Sequence, residues 1–84
     1  MQPASIHLIM YGRSSCHLCD DMRDALEDLQ GELRYTLEFR DIDSNKDWRD
    51  KYGLKIPVLV SGDTEICHFQ LDPVALRAHF STPA

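Results

Sequence analysis

The sequence predicts a single α/β domain over residues 1–84, with four strands in one mixed sheet and the order β-α-β-α-β-β-α. Three observations lead there. Apolar residues switch along the chain between the two-residue period of a strand and the 3.6-residue period of a helix. The first two strands are separated by a helix-length segment, so they pair in parallel through a right-handed crossover. The last two are separated only by Ser61-Gly62-Asp63-Thr64, which is hairpin chemistry.

Taken in order, Ile6-His7-Leu8-Ile9-Met10-Tyr11 is a short apolar run ended by Gly12, the pattern of a buried strand. From about residue 17 to 30, Leu18, Met22, Ala25, Leu26 and Leu29 recur at helical spacing, and Gly31 is placed to end the helix. Tyr35, Leu37 and Phe39 alternate with Thr36, Glu38 and Arg40, a second strand reaching about Ile42. Ser44 followed by Asp47 resembles a capping box for a short helix that carries Trp48 and Tyr52 and closes at Gly53. The spacing of that aromatic pair suits packing of the helix on the sheet. Ile56-Pro57-Val58-Leu59-Val60 is the third strand, with proline at its start where a missing N–H is tolerated. Glu65 to Phe69 returns as the fourth. Asp72 then serves as N-cap and Pro73 as first residue of a last helix reaching about Phe80, with Leu71 and Leu76 as a hydrophobic staple.

Composition narrows the function classes. The chain is 43% hydrophobic and 27% charged, the balance of a globular domain rather than a disordered one. A net charge of -5 without any Lys/Arg cluster argues against nucleic acid or an anionic membrane as partner. No apolar run approaches the roughly 20 residues needed to span a bilayer. Met1-Gln2-Pro3-Ala4-Ser5 has no basic stretch, so no secretory signal is expected. Three cysteines, two of them close together, do not make the framework of a disulfide-stapled secreted protein. A reducing cytoplasm is the expected location.

The chemistry concentrates at Cys16-His17-Leu18-Cys19. Thiols three apart at a helix start occupy neighbouring corners of the first turn, where they can close and reopen a disulfide with little backbone movement. Cys16, at the helix N-terminus, feels unpaired N–H groups and the positive end of the dipole, both of which favour thiolate. It is the expected nucleophile. Cys19, one turn further in among apolar side chains, is the expected resolving thiol. Arg13 and any protonated His17 favour the Cys16 thiolate, while Asp20 and Asp21 oppose it by about 0.5 kcal/mol each at ~8 Å in water-like dielectric. Thiols of C-x-x-C motifs span pKa values of about 3.5 to 7, and the acids place this one in the upper part, which suits a reductant.

Tyr11-Gly12-Arg13-Ser14-Ser15-Cys16-His17-Leu18-Cys19 and Ile56-Pro57, set in that element order, resemble the glutaredoxin branch of the thioredoxin superfamily across about residues 6–80. The resemblance implies a thioredoxin-like fold with helices on both faces of the sheet. It also implies a cis Pro57 beside the cysteines, a basic residue at Arg13, and backbone of Ile56 holding a substrate chain. Glutathione-using members carry Gly-Gly and then an acid where this chain has Phe69-Gln70-Leu71-Asp72. Asp72 fits the acidic position. Gln70 and Leu71 replace the glycines and should narrow the groove, and His17-Leu18 replaces the usual Pro-Tyr. Fold and dithiol therefore carry over directly, whereas glutathione stays a possible co-substrate that the altered groove disfavours.

The reading is a glutaredoxin-like thiol–disulfide oxidoreductase with no bound cofactor. It acts on protein or small-molecule disulfides, with Cys16 and Cys19 catalytic and Arg13, His17, Ile56, Pro57 and Asp72 at the substrate, and an unidentified reductant returns its electrons. Two alternatives use the same residues: a redox-sensing module that binds a partner protein, and a metal or iron–sulfur carrier working through Cys16. A zinc site would need two more ligands. The tempting pair, Cys67 and His68, are strand neighbours that point to opposite faces. Cys67 is expected to be a core-facing small hydrophobe, His7 and His68 strand residues, His79 a surface residue, and Asp20, Asp21, Asp24, Glu27 and Asp28 a solvated helix face.

Overall fold

Strand β1 (Ile6–Gly12) alternates its side chains between two cores, and this alternation organises the domain. Leu8 and Met10 point to one face and Tyr11, with Ile9, to the other. The computed structural model describes residues 6–81, so the N-terminal segment read for a secretory signal lies outside it. β1 pairs in parallel with β2 (Tyr35–Asp41), Ile6 opposite Tyr35 and Gly12 opposite Asp41. On its other side it pairs antiparallel with β3 (Val58–Ser61), which in turn pairs antiparallel with β4 (Thr64–His68). The sheet is four-stranded and mixed, in the order β2-β1-β3-β4.

The larger core holds Leu8, Met10 and Leu59 from the sheet against Cys19, Met22 and Leu26 of α1 (His17–Leu29) and Leu76 of α3 (Pro73–Ser81). Fully burying such a side chain contributes about 1.5–3 kcal/mol. The smaller core, on the opposite face, holds Tyr11, Val58 and Val60 against Tyr52 of α2 (Lys46–Tyr52). Tyr11 stacks on Tyr52 at 4.2 Å between ring centroids and meets the edge of Trp48 at 5.6 Å. Helices therefore cover both faces, the architecture of a thioredoxin-like domain.

Several local details differ from the sequence expectation. Gly31 does not adopt the left-handed conformation of a helix-ending glycine. Instead α1 closes through the N–H groups of Gln30, Glu32 and Leu33, donated to Glu27 and twice to Leu29. Ser44 does not cap α2, because a 3₁₀ turn (Ile42–Ser44) precedes that helix and Ser44 Oγ donates back to the Asp41 carbonyl. Asn45 is the cap, its Oδ1 accepting from Asp47 and Trp48 N–H at 2.9 and 3.2 Å. β3 begins after Pro57, not at Ile56. The hairpin turns on Gly62, whose φ of 59° needs no Cβ. The register shifts by one residue between Leu59 and Val60, so Ile66 of β4 is bulged. Asp72 does cap α3, its Oδ1 accepting from Ala75 N–H at 3.1 Å.

Candidate dithiol site

The end of β1 delivers the chain to the dithiol. After Gly12 three residues bring it to Cys16, which takes an extended conformation (φ −116°, ψ 111°) and serves as N-cap of α1. Its carbonyl accepts the first helical bond from Asp20 N–H at 3.1 Å. Its sulfur does what a serine or aspartate oxygen does at other helix starts, accepting Cys19 N–H at 3.1 Å. The two cysteines are joined as a disulfide with Cα atoms 5.1 Å apart, within the ordinary range.

The two sulfurs occupy different environments. Cys16 is half-buried at the edge of the larger core. Cys19 is 1% exposed inside that core, beside Met22 and Leu26. What makes room for it is Gly12. A Cβ at that position would lie 2.8 Å from Cys19 Sγ and 3.1 Å from Phe39 Cε1. Sequence reasoning gave Gly12 the end of a strand and a place in the family-like segment, but no packing role. Its place at the strand end four residues before Cys16 was the available signal, and the close approach is what gives it meaning.

The remaining predicted site residues divide. Ile56 packs against both cores, and the Ile56–Pro57 bond is cis with Pro57 fully buried. Arg13 does not aim its guanidinium at the sulfur. Nε and Nη2 donate to the two carboxylate oxygens of Asp43 at 2.8 and 3.0 Å, and that pairing holds the Asp43 carboxyl below its usual range. The charge expected to favour the Cys16 thiolate is already matched by a carboxylate. His17 projects into solvent, its Nε2 3.7 Å from Asp21 Oδ2. Asp72 caps α3, and it lines an open pocket with Cys67, Gln70 and Leu71. Cys67 packs against the larger core but stays half-exposed; burial pushes its thiol pKa up, which makes it a poor nucleophile. His79 is not simply a surface residue: it is half-buried, with Nε2 3.0 Å from Ser61 Oγ. The acids Asp20, Asp21, Asp24, Glu27 and Asp28 are all exposed.

The segment that departs from the glutathione-using pattern has an unforeseen conformation. The left-handed residue is Phe69, with φ 68°, rather than either position that replaces a glycine. Gln70 N–H closes a three-residue turn onto the His68 carbonyl at 2.8 Å, a strained geometry for a residue with a side chain. Phe69 N–H donates to the Pro57 carbonyl at 2.9 Å, which ties this turn to the cis-proline segment. No residue type in the sequence signals a left-handed phenylalanine.

Comparison with known proteins places this arrangement. The family model described as "Glutaredoxin-like domain (DUF836)" matches residues 7–81. A protein of Nitrosomonas europaea, solved in solution, is similar at 36% identity with a TM-score of 0.87, covering 96% of this chain and 98% of that one. A protein of X. campestris is similar at 31% identity and TM-score 0.72, over 90% of this chain and 99% of that one. A thioredoxin of Fasciola hepatica shares the fold at 18% identity and TM-score 0.58, over 92% of this chain and 79% of that one. No curated protein matches the chain. No helix among the described residues is long and apolar enough to cross a membrane.

Proposed function

The chain belongs to the glutaredoxin-like domain family, and from that premise we propose that it is a cytoplasmic thiol–disulfide oxidoreductase in which Cys16 attacks and Cys19 resolves. The observation that carries this reading is the asymmetry of the pair. One cysteine is only half-buried at a helix N-cap, and the other is held in the core one turn away at bonding distance.

In the reduced protein the Cys16 thiolate attacks one sulfur of a substrate disulfide. That bond breaks, one product leaves as a thiol, and a Cys16–substrate mixed disulfide remains. The Cys19 thiolate then attacks Cys16 Sγ, expelling the second product thiol and leaving the Cys16–Cys19 disulfide for an external dithiol to reduce. The helix N-terminus favours the thiolate form of Cys16 through the Cys19 N–H that points at its sulfur. With Arg13 engaged by Asp43, that backbone donor and the dipole supply the stabilisation in place of a neighbouring cation. Ile56, beside cis Pro57, offers backbone groups for strand-like pairing with a substrate chain. Gln70 and Leu71 stand where glutathione-using members of the family resembled have glycines, which speaks for protein disulfides over glutathione as substrate.

The test is a trapping experiment. Cys19→Ser, incubated with an oxidised protein substrate, should accumulate a mixed disulfide at Cys16 that dithiothreitol releases. Cys16→Ser should neither trap nor turn over. Full exchange activity in Cys16→Ser would overturn the assignment of roles.

A further inference from the structure

A shallow, mainly apolar groove of about 230 Å³ opens along α1 from Leu18, the residue before Cys19, between Leu18, Met22 and Ala25 of α1 and Phe69 and Leu71 of the turn after β4. Its volume is below the roughly 300–1,000 Å³ of small-molecule sites, so it suits one side chain better than a whole ligand. Leu18, between the two cysteines in sequence, is 40% exposed, and Phe69 is 47% exposed.

The conformation of Phe69 bears on what the groove is for. Glycine would adopt φ 68° without strain, yet a phenylalanine stands there with its ring outside the core. Hydrogen bonds to the Pro57 carbonyl and across the His68–Gln70 turn hold it in place. Strain kept where a smaller residue would remove it, for a ring that packs only in part, points to a task at the surface.

Apart from His17, which is charged only when protonated, the charge around the groove has one sign. Asp21 is the charged residue among those lining it, and Asp20 and Asp24 are exposed on the same helix. The arginines nearest in sequence are turned elsewhere, Arg13 to Asp43 and Arg23 over the Phe39 ring at 4.4 Å, while the exposed His17 lies 3.7 Å from one oxygen of Asp21, whose side chain stays 61% exposed.

We infer that the groove selects protein disulfides whose cysteine is flanked by an apolar residue, seated between Leu18 and Phe69, and by a lysine or arginine that meets Asp21. This rests on the oxidoreductase reading and names its substrate class. The chemistry is the same two-step exchange: the substrate disulfide gains two electrons and becomes two thiols, and the Cys16–Cys19 dithiol loses two and becomes a disulfide. The groove acts before the first step, by raising the encounter lifetime of a matching segment.

The experiment follows oxidation of the fully reduced chain in a single turnover. The probes are three disulfide-linked peptide dimers that differ only beside the cysteine (leucine with lysine, leucine with glutamate, glycine with lysine), together with glutathione disulfide and uncharged hydroxyethyl disulfide. Rates are normalised to hydroxyethyl disulfide for each variant. The leucine–lysine peptide should react about fivefold faster than the leucine–glutamate one, the size of one solvent-screened charge contact. That preference should shrink in 0.5 M salt, to which exposed pairs are sensitive at roughly this ionic strength, and in Asp21→Asn. The preference for leucine over glycine should vanish in Phe69→Gly and fall in Leu18→Gln, with Phe69→Gly no less stable to heat than the parent.

Equal rates for all three peptides, fastest reaction with glutathione disulfide, or a leucine preference that survives Phe69→Gly would each overturn the inference. So would a marked loss of stability in Phe69→Gly, which would make the ring structural. Failure to oxidise with any probe, hydroxyethyl disulfide included, would sink the oxidoreductase reading itself and this one with it.

Discussion

Replacing Gly12 by alanine puts a methyl group where Cys19 Sγ already stands. The added Cβ would lie 2.8 Å from that sulfur, 3.1 Å from Phe39 Cε1 and 3.3 Å from Cys19 Cβ. Normal carbon contacts are about 3.5–4.0 Å, so the neighbours must give way by several tenths of an ångström on two sides at once. Cys19 is 1% exposed and backed by Met22 and Leu26, which leaves little room to retreat. Overpacking of this kind costs about 1–3 kcal/mol. Alanine recovers about 0.4–1 kcal/mol by restricting the unfolded chain. The net expectation is a loss of about 1–2 kcal/mol, or about 4–16 °C in Tm for a domain of this size.

The clash also depends on redox state. In the oxidised protein Cys19 Sγ is tethered to Cys16, whereas in the reduced protein its side chain can rotate away from position 12. If about 1 kcal/mol of the strain is confined to the oxidised form, the reduction potential should rise by about 20 mV. Urea unfolding of both redox forms, with equilibration against glutathione buffers, measures the two quantities separately. An oxidised Gly12→Ala protein as stable as the parent would refute the packing argument. Equal destabilisation of both forms with an unchanged potential would refute the tethering argument.

Other outcomes follow from single contacts. Asn45→Ala removes the acceptor for two backbone N–H groups at the start of α2 and should cost about 1 kcal/mol by urea unfolding, with Asn45→Asp close to neutral. Tyr35→Phe removes the buried hydroxyl that donates to the Leu26 carbonyl at the end of α1 and should cost about 0.5–1.5 kcal/mol. Ion pairs hold Glu32, Glu38, Asp43 and Glu65 below their ordinary values of 4.5 for the glutamates and 3.8 for the aspartate. Because the folded values are the lower ones, these groups stabilise the fold fully above about pH 5 and lose that contribution as pH falls through the folded values. Thermal stability should therefore decline steadily below pH 4.5 at low salt, and less steeply in 0.5 M salt, since the pairs are exposed. A Tm that stays flat from pH 5 to pH 3 would contradict the pairing.

Much of this was legible because the residues carry local physical signals. Alternation in Tyr35–Phe39, helical spacing from Met22 to Leu29, and Asp72-Pro73 at a helix start each report a period or a cap that backbone geometry enforces. The pairing of Cys16 with Cys19 was legible for the same reason, since three-residue spacing on a first turn is itself a distance. Long-range facts were less so. Arg13 looked like a neighbour of the sulfur by sequence, but its partner Asp43 arrives from the turn after β2 only once the sheet has formed. The value of Gly12 depends on α1 folding back over the strand end, and the left-handed Phe69 on a turn held by the Pro57 carbonyl. Ser44 lost the capping role to Asn45 because a 3₁₀ turn, invisible in the residue pattern, shifted the helix start by one position.

The central claim is that Cys16 is the reactive thiolate because the N-terminus of α1 points at it. Its most direct measurement is the pH dependence of iodoacetamide alkylation in the reduced protein, resolved to each cysteine by mass spectrometry. Cys16 should react first, with a midpoint below the ordinary thiol value of about 8.5, while Cys19 and Cys67 lag behind it. A Cys16 midpoint at or above that value, or faster labelling of Cys19, would contradict the account.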